Sequence, residues 1–245
     1  MPRFFVNREN IDTESGVIRI TDDARHIARS LRMAVGDTVT VCDGSSNEYS
    51  CTLIKIRDEE CECQIQSVCQ SAVESPVDIT LCMAYPKGDK LETVIQKSVE
   101  LGASRIIPFE SSRCIKRPKA EKIDMVTERL RRIAEEAAKQ CGRARIPEVT
   151  HPLSFIQMLD EAVKCELPLL CYENEEGLSI KDAIAGREKP ASVAIIVGSE
   201  GGFSPEEAAE AMKRGVKSVS LGNRILRCET APSFALAALS YEFEL

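Results

Sequence analysis

Histidine is scarce in this chain: among 245 residues only His26 and His151 occur. That scarcity removes most of the chemistry that depends on an imidazole base, including Ser-His-Asp and Cys-His nucleophiles. His151 precedes Pro152 in a loop-like stretch and His26 sits in a helical one, positions that suit structural or surface roles. No Cys-x-x-Cys occurs, the eleven cysteines are odd in number, and two histidines offer little to complete a zinc site, so no metal is expected. Apolar runs such as Ala191 to Val197 fall far short of the roughly 20 residues of a membrane span. Met1-Pro2-Arg3 opens no signal peptide, and the reading is a cytoplasmic protein with no membrane partner. The two common phosphate fingerprints are missing as well. There is no Gly-x-Gly-x-x-Gly with an acidic residue downstream and no Gly-x-x-x-x-Gly-Lys, which disfavours a nucleotide-dependent hydrolase.

What is present supports a folded protein, since 43% of the residues are hydrophobic and 29% charged. The formal charge of -7 argues against a generic basic nucleic-acid coat, but the charge is unevenly spread. Residues 1–72 hold 8 basic and 12 acidic side chains, residues 73–147 hold 15 and 11, and residues 148–245 hold 9 and 16. Within the basic middle, Ser111 to Arg145 carries 11 Lys and Arg against 5 acidic residues. Lys116, Arg117, Arg131 and Arg132 stand out there as contacts for a phosphate backbone. The competing reading is an ordinary solvated face.

Residues 1–72 alternate in the manner of strands at Val17–Ile20, Thr38–Cys42 and Tyr49–Ile54, separated by the turn sequences Gly36-Asp37 and Asp43-Gly44-Ser45-Ser46. A small antiparallel barrel with one helix is expected. The helix should run from about Asp22 to Met33 behind Thr21 as N-cap, placing Arg25, Arg29 and Arg32 on one basic face. Cys61 and Cys63 share a face of a further strand, where they read as small buried hydrophobes. From residue 73 the pattern changes to strands alternating with longer helices, as in α/β architecture. Expected strands are Ile79–Ala84, Arg105–Phe109, Leu167–Tyr172, Val193–Val197 and Val216–Leu221; expected helices are Lys90–Leu101, Glu121–Gln140, Pro152–Ala162, Pro205–Arg214 and Ala231–Tyr241.

Two segments concentrate chemistry. In the first, the apolar strand through Val197 enters Gly198-Ser199-Glu200-Gly201-Gly202-Phe203 and then a helix opened by Ser204-Pro205-Glu206-Glu207. Open α/β sheets bind ligands at such strand ends, and Glu200 argues for a cationic or neutral adenosyl ligand rather than a polyphosphate. The second is Leu221-Gly222-Asn223-Arg224-Ile225-Leu226-Arg227-Cys228-Glu229-Thr230-Ala231, whose charges need partners in an apolar setting. An Arg227–Glu229 pair that merely stabilises the turn is the plain alternative.

Taken together, these two motifs resemble the ribosomal RNA small subunit methyltransferase E family, which methylates uridine N3 in 16S rRNA. Leu31-Arg32-Met33-x-Val35-Gly36-Asp37, Lys97-x-x-Glu100-Leu101-Gly102, Glu136-x-x-x-Gln140-x-Gly142-Arg143 and Tyr172-Glu173 resemble it in the same order, so the similarity spans the chain. The resemblance implies a PUA-like RNA-binding β-barrel over residues 1–72 and a SPOUT α/β domain over residues 73–245 with a trefoil knot, a topology that general fold rules make rare. It implies S-adenosyl-L-methionine as cofactor, held by Leu170, Cys171, Tyr172, Val197, Gly198, Gly201, Leu221, Gly222, Ile225 and Leu226. It also implies a homodimer acting on 16S rRNA in the 30S subunit. The family more often has Pro where this chain has Ser199, which bears on the stiffness of the glycine loop.

Methyl transfer to N3 demands loss of the N3 proton and stabilisation of the resulting anion. Arg227 is expected in the cationic role, and Glu200 or Glu229 as proton acceptor or as the partner that orients Arg227. Gln140 and Arg143 are expected to hold the target nucleotide or a neighbouring phosphate. A SPOUT enzyme with another RNA target and a non-catalytic RNA-binding assembly factor are the alternatives.

Overall fold

A computed structural model of the chain describes residues 1–115 and 117–245, so Lys116 lies outside the described residues. The chain divides into two compact units, one of Met1–Glu74 with Ala138–Ile146 and one of Ser75–Ala137 with Pro147–Leu245.

The first unit is built on strands β1 (Arg3–Phe5), β2 (Ile11–Asp12), β3 (Val17–Ile20), β4 (Thr38–Cys42), β5 (Asn47–Ile56) and β6 (Cys61–Gln70). They form one sheet in the order β1-β4-β5-β6-β3-β2, antiparallel throughout except for the parallel pair of β1 with β4. Phe4, Ile18, Ile20, Val39, Val41, Leu53, Cys61 and Cys63 bury one face of this sheet. Both cysteines are free and fully enclosed, as small hydrophobes would be. At the β4–β5 turn the Asp43 carboxylate accepts the backbone N–H of Ser45 at 2.9 Å, the local bond that makes aspartate a turn former.

The expected helix over Asp22–Met33 is much shorter. A five-residue π-helical turn, His26–Ser30, closes with the Leu31 N–H donating to the His26 carbonyl at 2.9 Å, and Arg32 beyond it has φ of 52°. Ala24 and Ile27 face the core, and the helix ends before Arg32, so Arg25, Arg29 and Arg32 do not share one helical face. Arg29 is instead ion-paired with Asp58.

Residues 138–146 are fastened to this unit by charge. Arg143, only 4% exposed, donates to Glu74 Oε2 through Nε at 3.1 Å and Nη2 at 2.8 Å, while Glu74 Oε1 accepts the N–H groups of Ala144 and Arg145. Lys139 Nζ lies 3.0 Å from Asp23 Oδ2.

The second unit carries β7 (Asp78–Ala84), α1 (Lys90–Glu100), β8 (Arg105–Glu110), most of α2 (Ile123–Cys141), β9 (Glu148–Val149), β10 (Leu153–Ser154), α3 (Phe155–Ala162), β11 (Leu167–Cys171), α4 (Ile180–Ile184), β12 (Ser192–Val197), α5 (Pro205–Lys213), β13 (Lys217–Val219) and α6 (Thr230–Phe243). All its strand pairs are parallel, in the order β10-β8-β7-β12-β11-β13 with β9 beside β8. The continuous apolar runs of β7, β11 and β12 are what a sheet covered on both faces requires, and each is almost wholly buried. The edge strands β9 and β10 and the single-turn α4 leave too short a pattern to be read from sequence.

Register sets where function can sit. Cys171 pairs with Val197 on one side and with Val219 on the other, so the last residues of β12, β11 and β13 lie in one row. The three loops that follow, beginning at Tyr172, Gly198 and Ser220, therefore leave the sheet side by side at its carboxyl edge.

Candidate active site

These three loops line an open cavity of 1130 Å³, somewhat larger than the roughly 300–1,000 Å³ of a usual ligand pocket. Cys171, Tyr172 and Val197 form its floor at the strand ends; Gly198 and Gly201 and then Leu221, Gly222, Ile225 and Leu226 continue its wall. Leu170 does not line the cavity. It is fully buried in the sheet one residue before Cys171, which does line it. Ile225 lines the rim but is 90% exposed, available to a ligand and covered by nothing in the chain itself.

The glycine loop is anchored from beneath. Phe203 is completely buried and stacks on Phe109 at 6.4 Å between ring centroids, with Phe155 tilted against both. Just beyond, Ser204 and Glu207 form a capping box at the start of α5, and Glu207 Oε1 accepts the Ser112 N–H at 2.7 Å. Ahead of these anchors Ser199 to Gly202 make a tight turn, the Gly202 N–H donating to the Ser199 carbonyl at 2.9 Å. Gly198 has no room for a side chain, since a Cβ there would stand 3.0 Å from the Gly202 backbone. The Ser199 hydroxyl is buried at the cavity wall without a hydrogen-bond partner, an orphaned group that a polar ligand atom would satisfy.

Charge in the cavity is mixed but leans acidic, with Glu173, Glu175, Glu176, Asp182, Glu200 and Glu229 against Lys90, Arg224 and Arg227. A positively charged, partly apolar ligand fits this lining; a polyphosphate does not. Glu200 accepts the Lys87 N–H at 3.1 Å and the Lys90 ammonium at 2.9 Å. Burial alone would raise its carboxyl, but the bonds from Lys90, its own N–H and Lys87 outweigh that and hold it below the usual carboxylate range. Glu229, at the N-cap of α6, is held low by its own backbone N–H and further by Cys228 and Lys90. Lys90 Nζ lies 3.4 Å from Glu229 Oε2 as well. Burial pushes the Cys171 and Cys228 thiols up to about 12, so neither is a thiolate nucleophile at neutral pH.

Of the residues expected in chemistry, the structure brings Glu200 and Glu229 to one ammonium, and Arg227 to the edge of the same group. Arg227 Nη1 stands 4.0 Å from Glu229 Oε1 while the rest of its side chain, 85% exposed, projects outward. The residue that joins them, Lys90, was not singled out in the sequence. Its only signal there is a cation at the first position of a helix, the end where the dipole disfavours positive charge. Glu173 was likewise seen only as part of a motif.

The residues expected to meet RNA fall in both units. Arg117, Arg131 and Arg132 are exposed in the second unit. Arg131 spends one donor on the Val149 carbonyl at 3.0 Å, Arg132 lies 3.9 Å from Glu128, and Arg117 lies 3.7 Å from Glu110. Arg25, Arg29, Arg32 and Gln140 are exposed in the first unit. Arg143 is not exposed: its guanidinium is committed to Glu74, which corrects its expected role in holding a nucleotide or phosphate.

Residues 73–240 match the RNA methyltransferase domain family, and residues 21–66 match the RNA methyltransferase PUA domain. The ribosomal RNA small subunit methyltransferase E of Bacillus subtilis is 32% identical over 252 residues, covering 100% of this chain and 98% of its own. Among solved structures, a putative methyltransferase from Legionella pneumophila in complex with SAM is 32% identical with a TM-score of 0.86, covering 98% of this chain and 96% of that one. The ribosomal RNA small subunit methyltransferase E from Neisseria gonorrhoeae bound to S-adenosyl methionine is 30% identical with a TM-score of 0.85, covering 98% and 97%. With a mixed α/β fold, a PUA domain and full-length similarity of this kind, the chain belongs to the ribosomal RNA small subunit methyltransferase E family.

Proposed function

We propose that this protein is an S-adenosyl-L-methionine-dependent methyltransferase acting on N3 of a uridine in the 16S rRNA of the small ribosomal subunit. The observation that carries the reading is the acidic and apolar cavity at the joined ends of β11, β12 and β13, in a chain similar from end to end to enzymes of that name. S-adenosyl-L-methionine, when bound, supplies an electrophilic methyl group. Tyr172, Val197, Gly198, Gly201, Leu221, Gly222 and Leu226 would hold its adenosyl part, and the acidic lining would complement its sulfonium charge.

The chain's own residues must make a poor nucleophile reactive. Uridine N3 keeps its proton until a base removes it and a cation stabilises the anion. Arg227, exposed at the cavity mouth and attached at one end to Glu229, suits the cationic role. Glu229 or Glu200 takes the proton or orients Arg227; the 4.0 Å Arg227–Glu229 pair favours Glu229 for orientation. Positioning of the base against the methyl donor would supply much of the rate.

In this reading residues 1–72 form a PUA-like RNA-binding barrel and residues 73–245 a SPOUT domain. The interleaved order of β12, β11 and β13 fits a C-terminal segment threaded as a trefoil knot. The exposed Arg117, Arg131 and Arg132, together with Arg25, Arg29, Arg32 and Gln140, would meet the RNA. The protein works in the cytoplasm as a homodimer, on the assembled 30S subunit. No helix among the described residues is long and apolar enough to cross a membrane, and no group of three or more His, Cys, Asp or Glu among them is arranged to hold a metal.

The test is transfer of labelled methyl from S-adenosyl-L-methionine to 30S subunits and to deproteinised 16S rRNA, followed by nucleoside mass spectrometry. 3-Methyluridine formed on 30S subunits is expected. Methyl transfer that yields a different nucleoside would sink the N3 assignment while leaving the cofactor in place.

A further inference from the structure

Lys90 occupies a costly position. It is the first residue of α1, where the helix dipole repels a cation, and its ammonium points into the cavity toward two carboxylates from two different loops. Glu200 comes from the glycine loop after β12, and Glu229 from the start of α6 after β13. Two carboxylates sharing one site without a cation would repel each other and compete to keep a proton. Nζ at 2.9 Å from Glu200 and 3.4 Å from Glu229 removes that conflict and ties the two loops to α1.

We propose that Lys90 is a positioning residue for methyl transfer: its ammonium clamps Glu200 and Glu229 together, and so fixes the carboxylate that meets Arg227. The inference rests on the methyltransferase reading for its consequence in turnover, but the clamp itself is a property of the protein alone.

The charged groups around the clamp come from three elements. Ahead of α1 the Lys87 N–H donates to Glu200; the glycine loop supplies Glu200 itself; the start of α6 supplies Arg227, Cys228 and Glu229. Cys228 Sγ lies 3.9 Å from Nζ and 3.2 Å from Glu229 Oε2, but its thiol is pushed up to about 12 and stays neutral across the working range. The hydrogen bond to Glu200 raises the Lys90 ammonium in turn, so the clamp persists through neutral pH. Removing the ammonium leaves Glu200 with backbone donors and Glu229 with its helix terminus, and one of the two carboxyls should then retain its proton to higher pH.

The experiment is a 13C NMR titration of protein labelled at glutamate Cδ, with Glu200→Gln and Glu229→Gln assigning the two resonances. In the wild type both should titrate below the ordinary value of about 4.3. In Lys90→Gln at least one midpoint should rise by about one pH unit, and Lys90→Arg should stay near the wild type. Lys90→Met serves as the second variant if Lys90→Gln does not fold. Unmoved midpoints in a folded variant overturn the clamp. In methyl transfer to 30S subunits, Lys90→Gln should lower kcat about tenfold or more, with the acidic limb of the kcat profile moved upward, and Lys90→Arg should recover most of both. A loss confined to KM for S-adenosyl-L-methionine with the limb in place would overturn the positioning role. If the wild type forms no 3-methyluridine while the midpoints move, the rRNA reading falls and the clamp stands.

Discussion

The carboxylate of Glu173 occupies the space that a Cβ on Gly202 would need, and Gly202 itself has φ of 62°. The left-handed backbone is what demands glycine; the Glu173 carboxylate, at the end of an exposed and flexible side chain, could swing aside for a methyl group. The glycine loop and the Tyr172-Glu173 loop are packed against each other as one wall of the cavity.

Gly202→Ala should accordingly strain the glycine loop. A loss of roughly 1–3 kcal/mol in stability is expected from strain at such a position, with weaker binding of S-adenosyl-L-methionine. Thermal unfolding and calorimetric titration would measure the two. Glu173→Ala in the same chain should restore little of the loss, because the cost lies in φ and not in the contact. A double variant as stable as the wild type would show that the contact with Glu173 carries the cost instead.

Arg143 and Glu74 make a different prediction from the one that sequence suggests. Arg143 is 4% exposed and both Glu74 oxygens are occupied, so breaking the pair strips a buried, two-point charged contact out of the first unit. Glu74→Ala and Arg143→Ala should each cost about 3–5 kcal/mol of stability. Gln140→Ala, at an exposed position, should leave the melting temperature within a degree or two and reduce only RNA binding. Equal melting temperatures for all three would return Arg143 to the list of RNA contacts.

Arg227 is expected to act after the cofactor is bound. Only one of its guanidinium nitrogens approaches Glu229, and the side chain is otherwise in solvent. Arg227→Ala should therefore cut kcat by about 100-fold or more while changing the dissociation constant for S-adenosyl-L-methionine less than about threefold. Equal losses in both would mean that it holds the cofactor and not the developing anion.

Much of this site was legible in advance because its parts are local. The strand-to-glycine-loop sequence through Val197-Gly198 and the capping residues Ser204 and Glu207 declare themselves over a few positions, and the structure has them as a strand, a turn and a capped helix. Which residues at the end of β11 face the cavity is less legible, since one residue of register separates Cys171 at the cavity from the fully buried Leu170. Arg143 was misassigned for another reason: its partner Glu74 lies 69 residues away, and no local pattern announces such a pair. Lys90 was missed on the same ground, since Glu200 is 110 residues distant. The Asp22–Met33 helix stops early at Leu31, where Arg32 takes a left-handed backbone that no local residue type announces.

The basic surface yields the last prediction. Arg117, Arg131 and Arg132 are exposed, and their carboxylate neighbours Glu110 and Glu128 stand 3.7 to 3.9 Å away, pairs weak enough to be exchanged for phosphate. If all three meet single-stranded or distorted rRNA, replacing them with Ala should flatten the slope of log affinity against log salt by about 2, at roughly 0.7 per phosphate lost. Arg131→Ala also removes a bond to the Val149 carbonyl, so its effect on melting temperature must be measured beside the binding isotherms. A slope unchanged in the triple variant, with the fold intact, would move the RNA face off this surface and onto the exposed arginines of the first unit.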